Sequence, residues 1–203
     1  MRESIRAFVL RAKSYDVRLF YYAGHGVQVD GKNYLIPTDA EIETADDIPA
    51  KSADLNEMLE RLGQTSSGMN IVILDACRNN PFADGATILQ DGRRLKFRGA
   101  TPAGLAAVDA PTGTFVAYAT APGSVAIDGA GVSHSMYTKH LLANVAIPGL
   151  PIEQLFKRVR IAVTQETRRM QVPWDNSSLM GDFCFKTGEG GACRYDGALF
   201  TRP

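Results

Sequence analysis

The chain has 203 residues, 45% of them hydrophobic, and its 22 Lys and Arg balance 22 Asp and Glu. That composition suits one globular domain with a continuous core, and it excludes a charge-driven attachment to nucleic acid or to an anionic membrane. No apolar stretch approaches the roughly 20 residues of a bilayer span, and "MRESIRAFVL" does not read as a signal peptide, so no membrane partner is expected; the compartment stays open, with the cytoplasm favoured.

In chain order, Ile5, Phe8, Val9 and Ala12 recur at helical spacing and predict an amphipathic helix over residues 2–14. "VRLFYY" (17–22) is aromatic and β-branched, a buried strand. Phe20, Tyr21 and Tyr22 read as core rather than as a stacking surface. Asp30-Gly31 between short alternating arms signals a hairpin. Asp46 and Asp47 precede a helix, where acids suit the dipole. Asp54 with Glu57 resembles a capping pair for a helix that runs to Leu62, with Gly63 placed to stop it. "NIVILDA" (70–76) is the clearest buried strand and "TFVAYA" (114–119) the next.

Two helices follow, about 135–145 and 152–170; the second carries Ile152, Leu155, Phe156, Val159 and Val163 on one stripe, with Pro151 at its start. "GDFCF" (181–185) reads as a last strand. Strands alternating with helices imply a mostly parallel α/β sheet covered on both faces. Residues 78–112 break that rhythm, rich in Gly, Pro, Ala and Arg, and a flexible connection is expected over about 83–112. One domain over 1–185 and a tail over 186–203 result. Cys184 and Cys193 are able to pair across a Gly-rich turn, but spacing alone does not decide it.

In open α/β sheets, sites form at the carboxyl ends of strands. "YYAGHG" places His25 past one such strand, and "ILDAC" places Cys77 past another. A thiol nucleophile needs a base that makes it a thiolate and later protonates the leaving amine. Gly24 and Gly26 let the chain turn and approach a substrate closely, and the N–H groups of Gly26 and Cys77 are candidate oxyanion donors.

The caspase signature sets a histidine about 50 residues before a small-residue–Cys motif. With "YYAGHG", "ILDACRNNPF" and "YATAPGSVA", the chain resembles caspase-like cysteine peptidases, in particular the bacterial metacaspase or orthocaspase branch. The resemblance implies a caspase-like fold, Cys77 as nucleophile and His25 as general base and acid. It also implies a substrate strand lying along "YATAPGSVAID", with Ser124 and Ala126 among the contacts. Animal caspases carry Gln and Arg where this chain has Asp75 and Asp128, so the resemblance implies cleavage after Arg or Lys. It further implies that an opening strand of the family fold is missing before "YYAGHG".

A basic segment, "GRRLKFRG", then becomes a site of self-cleavage after Arg93, Arg94, Lys96 or Arg98. This chemistry requires no cofactor and no metal; calcium at the Asp46-Asp47 pair is a lesser alternative, because that ion needs six or more oxygens. His134 and His140 read as a helix-start and a surface residue. The expected partners are protein or peptide substrates, and the expected state is a monomer. The competing reading is a catalytically silent caspase-like interaction module. A thiol redox protein is disfavoured because Cys77 lacks a resolving cysteine nearby.

Overall fold

A computed structural model describes residues 1–44, 46–64, 68–76, 89–90, 93–94, 105–121, 126, 134–189 and 193. The stripe Ile5, Phe8, Val9 and Ala12 winds into helix α1 (Arg2–Ala12), and the aromatic run after it forms strand β1 (Val17–Val29). Asp30 and Gly31, at φ 50° and 76°, turn the chain into β2 (Lys32–Ile36), since a two-residue hairpin loop needs left-handed backbone at both positions. Short helix α2 (Asp47–Lys51) and strand β3 (Ala53–Asp54) follow. Asp54 Oδ1 accepts the Glu57 N–H at 3.0 Å and so caps α3 (Leu55–Gly63). Next come β4 (Met69–Ala76), the short arms β5 (Leu89–Gln90) and β6 (Arg93–Arg94), and β7 (Thr114–Tyr118). Helices α4 (Met136–Val145) and α5 (Ile152–Glu166) and strand β8 (Trp174–Ser177) complete the order.

Six strands form one sheet in the order β3-β2-β1-β4-β7-β8. The parallel pairing expected of the sheet joins its three central strands, β1, β4 and β7; β2, β3 and β8 run antiparallel at the flanks. All eight residues of β4 are buried, because helices cover both faces. Val72, Leu74, Val116 and Tyr118 pack with α1 and α3. Ile71, Ile73, Phe115 and Ala117 pack with α4 and α5. Each Val, Leu, Ile or Phe among them contributes roughly 1.5–3 kcal/mol on burial.

Three expectations need correction. "GDFCF" is not a strand: the carbonyl of Phe183 accepts the Ile152 N–H at 2.8 Å and that of Lys186 accepts the Gly149 N–H at 2.9 Å, so its backbone seats the start of α5. The last strand is instead the polar "WDNS", legible only as an exposed edge. Helix α5 stops at Glu166 because Arg168 and Arg169 adopt left-handed backbone, φ 52° and 67°. Gly63 ends no helix by a left-handed turn; it lies within α3, where Pro111 packs so closely that an added Cβ would meet its Cβ at 2.5 Å. Leu105 and Val108 are buried, and Asn33 exchanges two hydrogen bonds with Ala106, at 2.8 and 3.1 Å.

Candidate active site

Strand β1 serves two ladders in series. Residues 17–24 pair with β4, and residues 25–29 pair with β2; over residues 17–24 no second strand pairs β1 among the described residues. The change of partner falls between Gly24 and His25. Gly24 has φ 155°, and a Cβ there would lie 2.7 Å from Tyr22 Oη, so a side chain is excluded on both counts. The Tyr22 hydroxyl lies 2.8 Å from the carbonyl oxygens of both His25 and Ile36, and its single proton is shared between them. Burial pushes this phenol well above its ordinary pKa, which keeps it a donor. His25 emerges exposed beyond this junction, beside a cleft of about 530 Å³ walled by Tyr22, Ile36, Pro37, Asp39 and Ala40. Gly26 is buried against Leu105, whose side chain would lie 2.7 Å from an added Cβ.

The neighbouring strand brings the acid. In the parallel register Ala23 faces Asp75 and Gly24 faces Ala76. His25 is thus one residue past the last pair on β1, as Cys77 is in sequence on β4. Cys77 itself lies outside the described residues. Asp75 is 7% exposed, and its Oδ2 accepts the Ser135 hydroxyl and, at 2.6 Å, the Thr138 hydroxyl. Tyr21 Oη lies 2.6 Å from Thr138 Oγ1. Tyr21 is not the core residue expected of it: it is 42% exposed, and partial burial raises its pKa. Tyr137, next along α4, is fully buried with no hydrogen-bond partner for its hydroxyl among the described residues. Burial raises the pKa of this phenol, and the carboxylates of Asp75 and Asp175 add to the effect. Asp175 is paired with Arg160; burial raises its carboxyl, and the guanidinium partly opposes that.

Of the other expected site residues, Ala126 is buried in the core shared with α4 and α5. Ser124, Asp128, Lys96 and Arg98 lie outside the described residues. Arg93 and Arg94 form β6, paired antiparallel with β5. His140 Nε2 lies 2.7 Å from Glu166 Oε2 at the surface. Asp47 spends its carboxylate on the Glu43 and Thr44 amides, the Thr44 hydroxyl and Lys51. Cys184 and Cys193, left open in sequence, form a disulfide.

The profile of the caspase domain, peptidase family C14, matches residues 1–184. The chain belongs to the caspase-domain family. Among curated proteins it is 30% identical, over 93 residues, to the human mucosa-associated lymphoid tissue lymphoma translocation protein 1; the shared part is 44% of this chain and 11% of that protein. To a probable protease from a Desulfuromonadales bacterium it is 28% identical over 163 residues, 77% of this chain and 17% of the relative. The chain therefore spans well under a quarter of the length of either relative. The crystal structure of caspase-1 from Spodoptera frugiperda superposes with a TM-score of 0.57 at 15% identity, covering 94% of this chain and 73% of that one. That likeness is one of fold.

The sheet edge thus sets exposed His25 one residue beyond the β1–β4 pairs and buried Asp75 one pair before their end. No helix is long and apolar enough to cross a membrane among the described residues. Sequence reasoning missed Ser135, Thr138 and Tyr21. The Ser-x-x-Thr spacing at the start of α4 signals a helix cap, but nothing in it points to Asp75.

Proposed function

We propose that this caspase domain is a cysteine endopeptidase that cleaves after Arg or Lys, with Cys77 as nucleophile and His25 as its base. The observation that carries the reading is the β1–β4 register, which ends at Gly24 and Ala76 with buried Asp75 one pair earlier. His25 takes the thiol proton, and the Cys77 thiolate attacks the carbonyl carbon of the scissile bond. The N–H groups of Gly26 and Cys77 face the oxyanion that develops. His25 returns the proton to the departing amine, and water hydrolyses the acyl-enzyme. Asp75, with Asp128, receives the cationic side chain, since a desolvated carboxylate requires a positive partner. The substrate backbone adds as a strand along residues 118–128, past Ser124 and Ala126. The protein acts as a monomer, without a cofactor, and processes itself within residues 91–99.

Peptide amides differing only at P1 test this. The wild-type protein is expected to hydrolyse Arg and Lys substrates, with and without calcium, and to spare the Asp substrate; Cys77→Ala and His25→Ala should be inert. A preference for P1 Asp would overturn the specificity, and activity retained in Cys77→Ala would overturn the mechanism.

A further inference from the structure

We infer that Ser135 and Thr138 are positioning residues that fix the Asp75 carboxylate for an arginine side chain, an inference that rests on the basic-P1 reading above. Asp75 stands near the end of β4, while the hydroxyls stand at the N-cap (Ser135) and in the first turn (Thr138) of α4. They reach the same oxygen, Oδ2. The direction of each bond follows from the donors available. Ser135 Oγ already accepts the Thr138 N–H at 3.0 Å as the cap of α4, so its own proton goes to Asp75. Thr138 gives its proton to Asp75 as well, which makes Tyr21, 2.6 Å away, the donor to Thr138. Protons thus run one way, from Tyr21 to Thr138 to Asp75.

Two donors from the start of one helix fill Oδ2 and hold the plane of the carboxylate, which leaves Oδ1 as the oxygen that accepts from a ligand. At 7% exposure there is little water to do the same work. A fixed plane matters unequally to the two basic side chains. Guanidinium carries its N–H donors in one rigid plane, so its bonds to Oδ1 need the carboxylate plane aligned. Ammonium is a point charge that accepts any approach. The clamp therefore acts on the choice of Arg over Lys, beyond the attraction of a cation that Asp75 exerts by charge.

The experiment compares peptide amides with Arg, Lys, Leu or Asp at P1, on the wild-type protein and on Thr138→Val, Thr138→Ser, Ser135→Ala and Ser135→Thr. Thr138→Val keeps the side-chain shape and removes the hydroxyl. It is expected to raise KM for the Arg peptide about tenfold, the scale of one charge-assisted hydrogen bond, and to leave the Lys peptide within about twofold. Thr138→Ser and Ser135→Thr should restore the Arg-over-Lys ratio. Equal losses on both basic peptides, or an unchanged ratio, would reduce the hydroxyls to a structural role and overturn the inference. If Ser135→Ala fails to fold for want of its cap, the Thr138 pair decides. Failure of the parent reading appears separately, as wild-type protein that prefers neither basic peptide over Leu or Asp.

Discussion

Tyr22 governs the backbone at which His25 emerges, because its hydroxyl ties the carbonyls of His25 and Ile36 across the β1–β2 junction. Tyr22→Phe removes that tie without opening a cavity. It is expected to cost about 1 kcal/mol in denaturant unfolding and to lower kcat on an Arg amide. Gly24→Ala should be harsher, since the new Cβ meets the same hydroxyl and the φ of 155° opposes any side chain. Within the candidate site, the sheet-end positions of His25 and Asp75 were legible because each sits in a short motif at the end of an apolar run; Cys77, named by the same pattern, lies outside the described residues. Ser135 and Thr138 were not, because their partner lies 60 and 63 residues away in sequence and only the pairing of sheet and helix joins them. Tyr21 misled for a local reason. Its aromatic neighbours suggested a core strand, yet the face of β1 that carries Leu19 and Tyr21 is exposed in this structure, each residue at 42%.

Helix propensity and packing disagree at Gly63, and the disagreement is testable. An interior Gly→Ala change ordinarily stabilises a helix by about 1 kcal/mol, but here the added methyl would meet the rigid ring of Pro111. Gly63→Ala is therefore expected to lower Tm, with an overpacking cost of about 1–3 kcal/mol; a rise in Tm would show that Pro111 yields. Acid sensitivity should appear at α2. The bonds from Lys51 and from the Glu43 and Thr44 amides hold the Asp47 carboxyl far below its ordinary value of 3.8. A lowered acid stabilises the fold at pH above its unfolded value and loses that contribution as pH falls toward the folded one. Asp47→Asn should thus melt below the wild type near about pH 6, with the gap narrowing steadily under about pH 4. Among elements, the central strands and amphipathic helices declared themselves by period. The polar edge strand β8 did not, because a strand with water on one side needs few apolar residues.

The whole molecule is divided by its longest connection, between β4 and β7, which are nonetheless neighbours in the sheet. A cut within residues 91–99 would sever the chain but leave the pairing of Asn70–Leu74 with Thr114–Tyr118, and both hydrophobic cores, undisturbed. The two fragments are expected to co-elute on size exclusion and to part only in denaturant, even without reductant, because Cys184 and Cys193 both belong to the second fragment. Their separation under native conditions would show that continuity across the cut holds the sheet together. This architecture was readable as a class from alternating strands and helices; the antiparallel flanks were not, since period reveals burial and never direction. The disulfide carries a practical corollary. A reductant added to protect a free thiol at Cys77 also attacks the sulfurs that tie residue 193 to residue 184, so one buffer choice sets the chemistry of both. Activity measured in dithiothreitol would then be that of a protein whose last loop has been unbuckled.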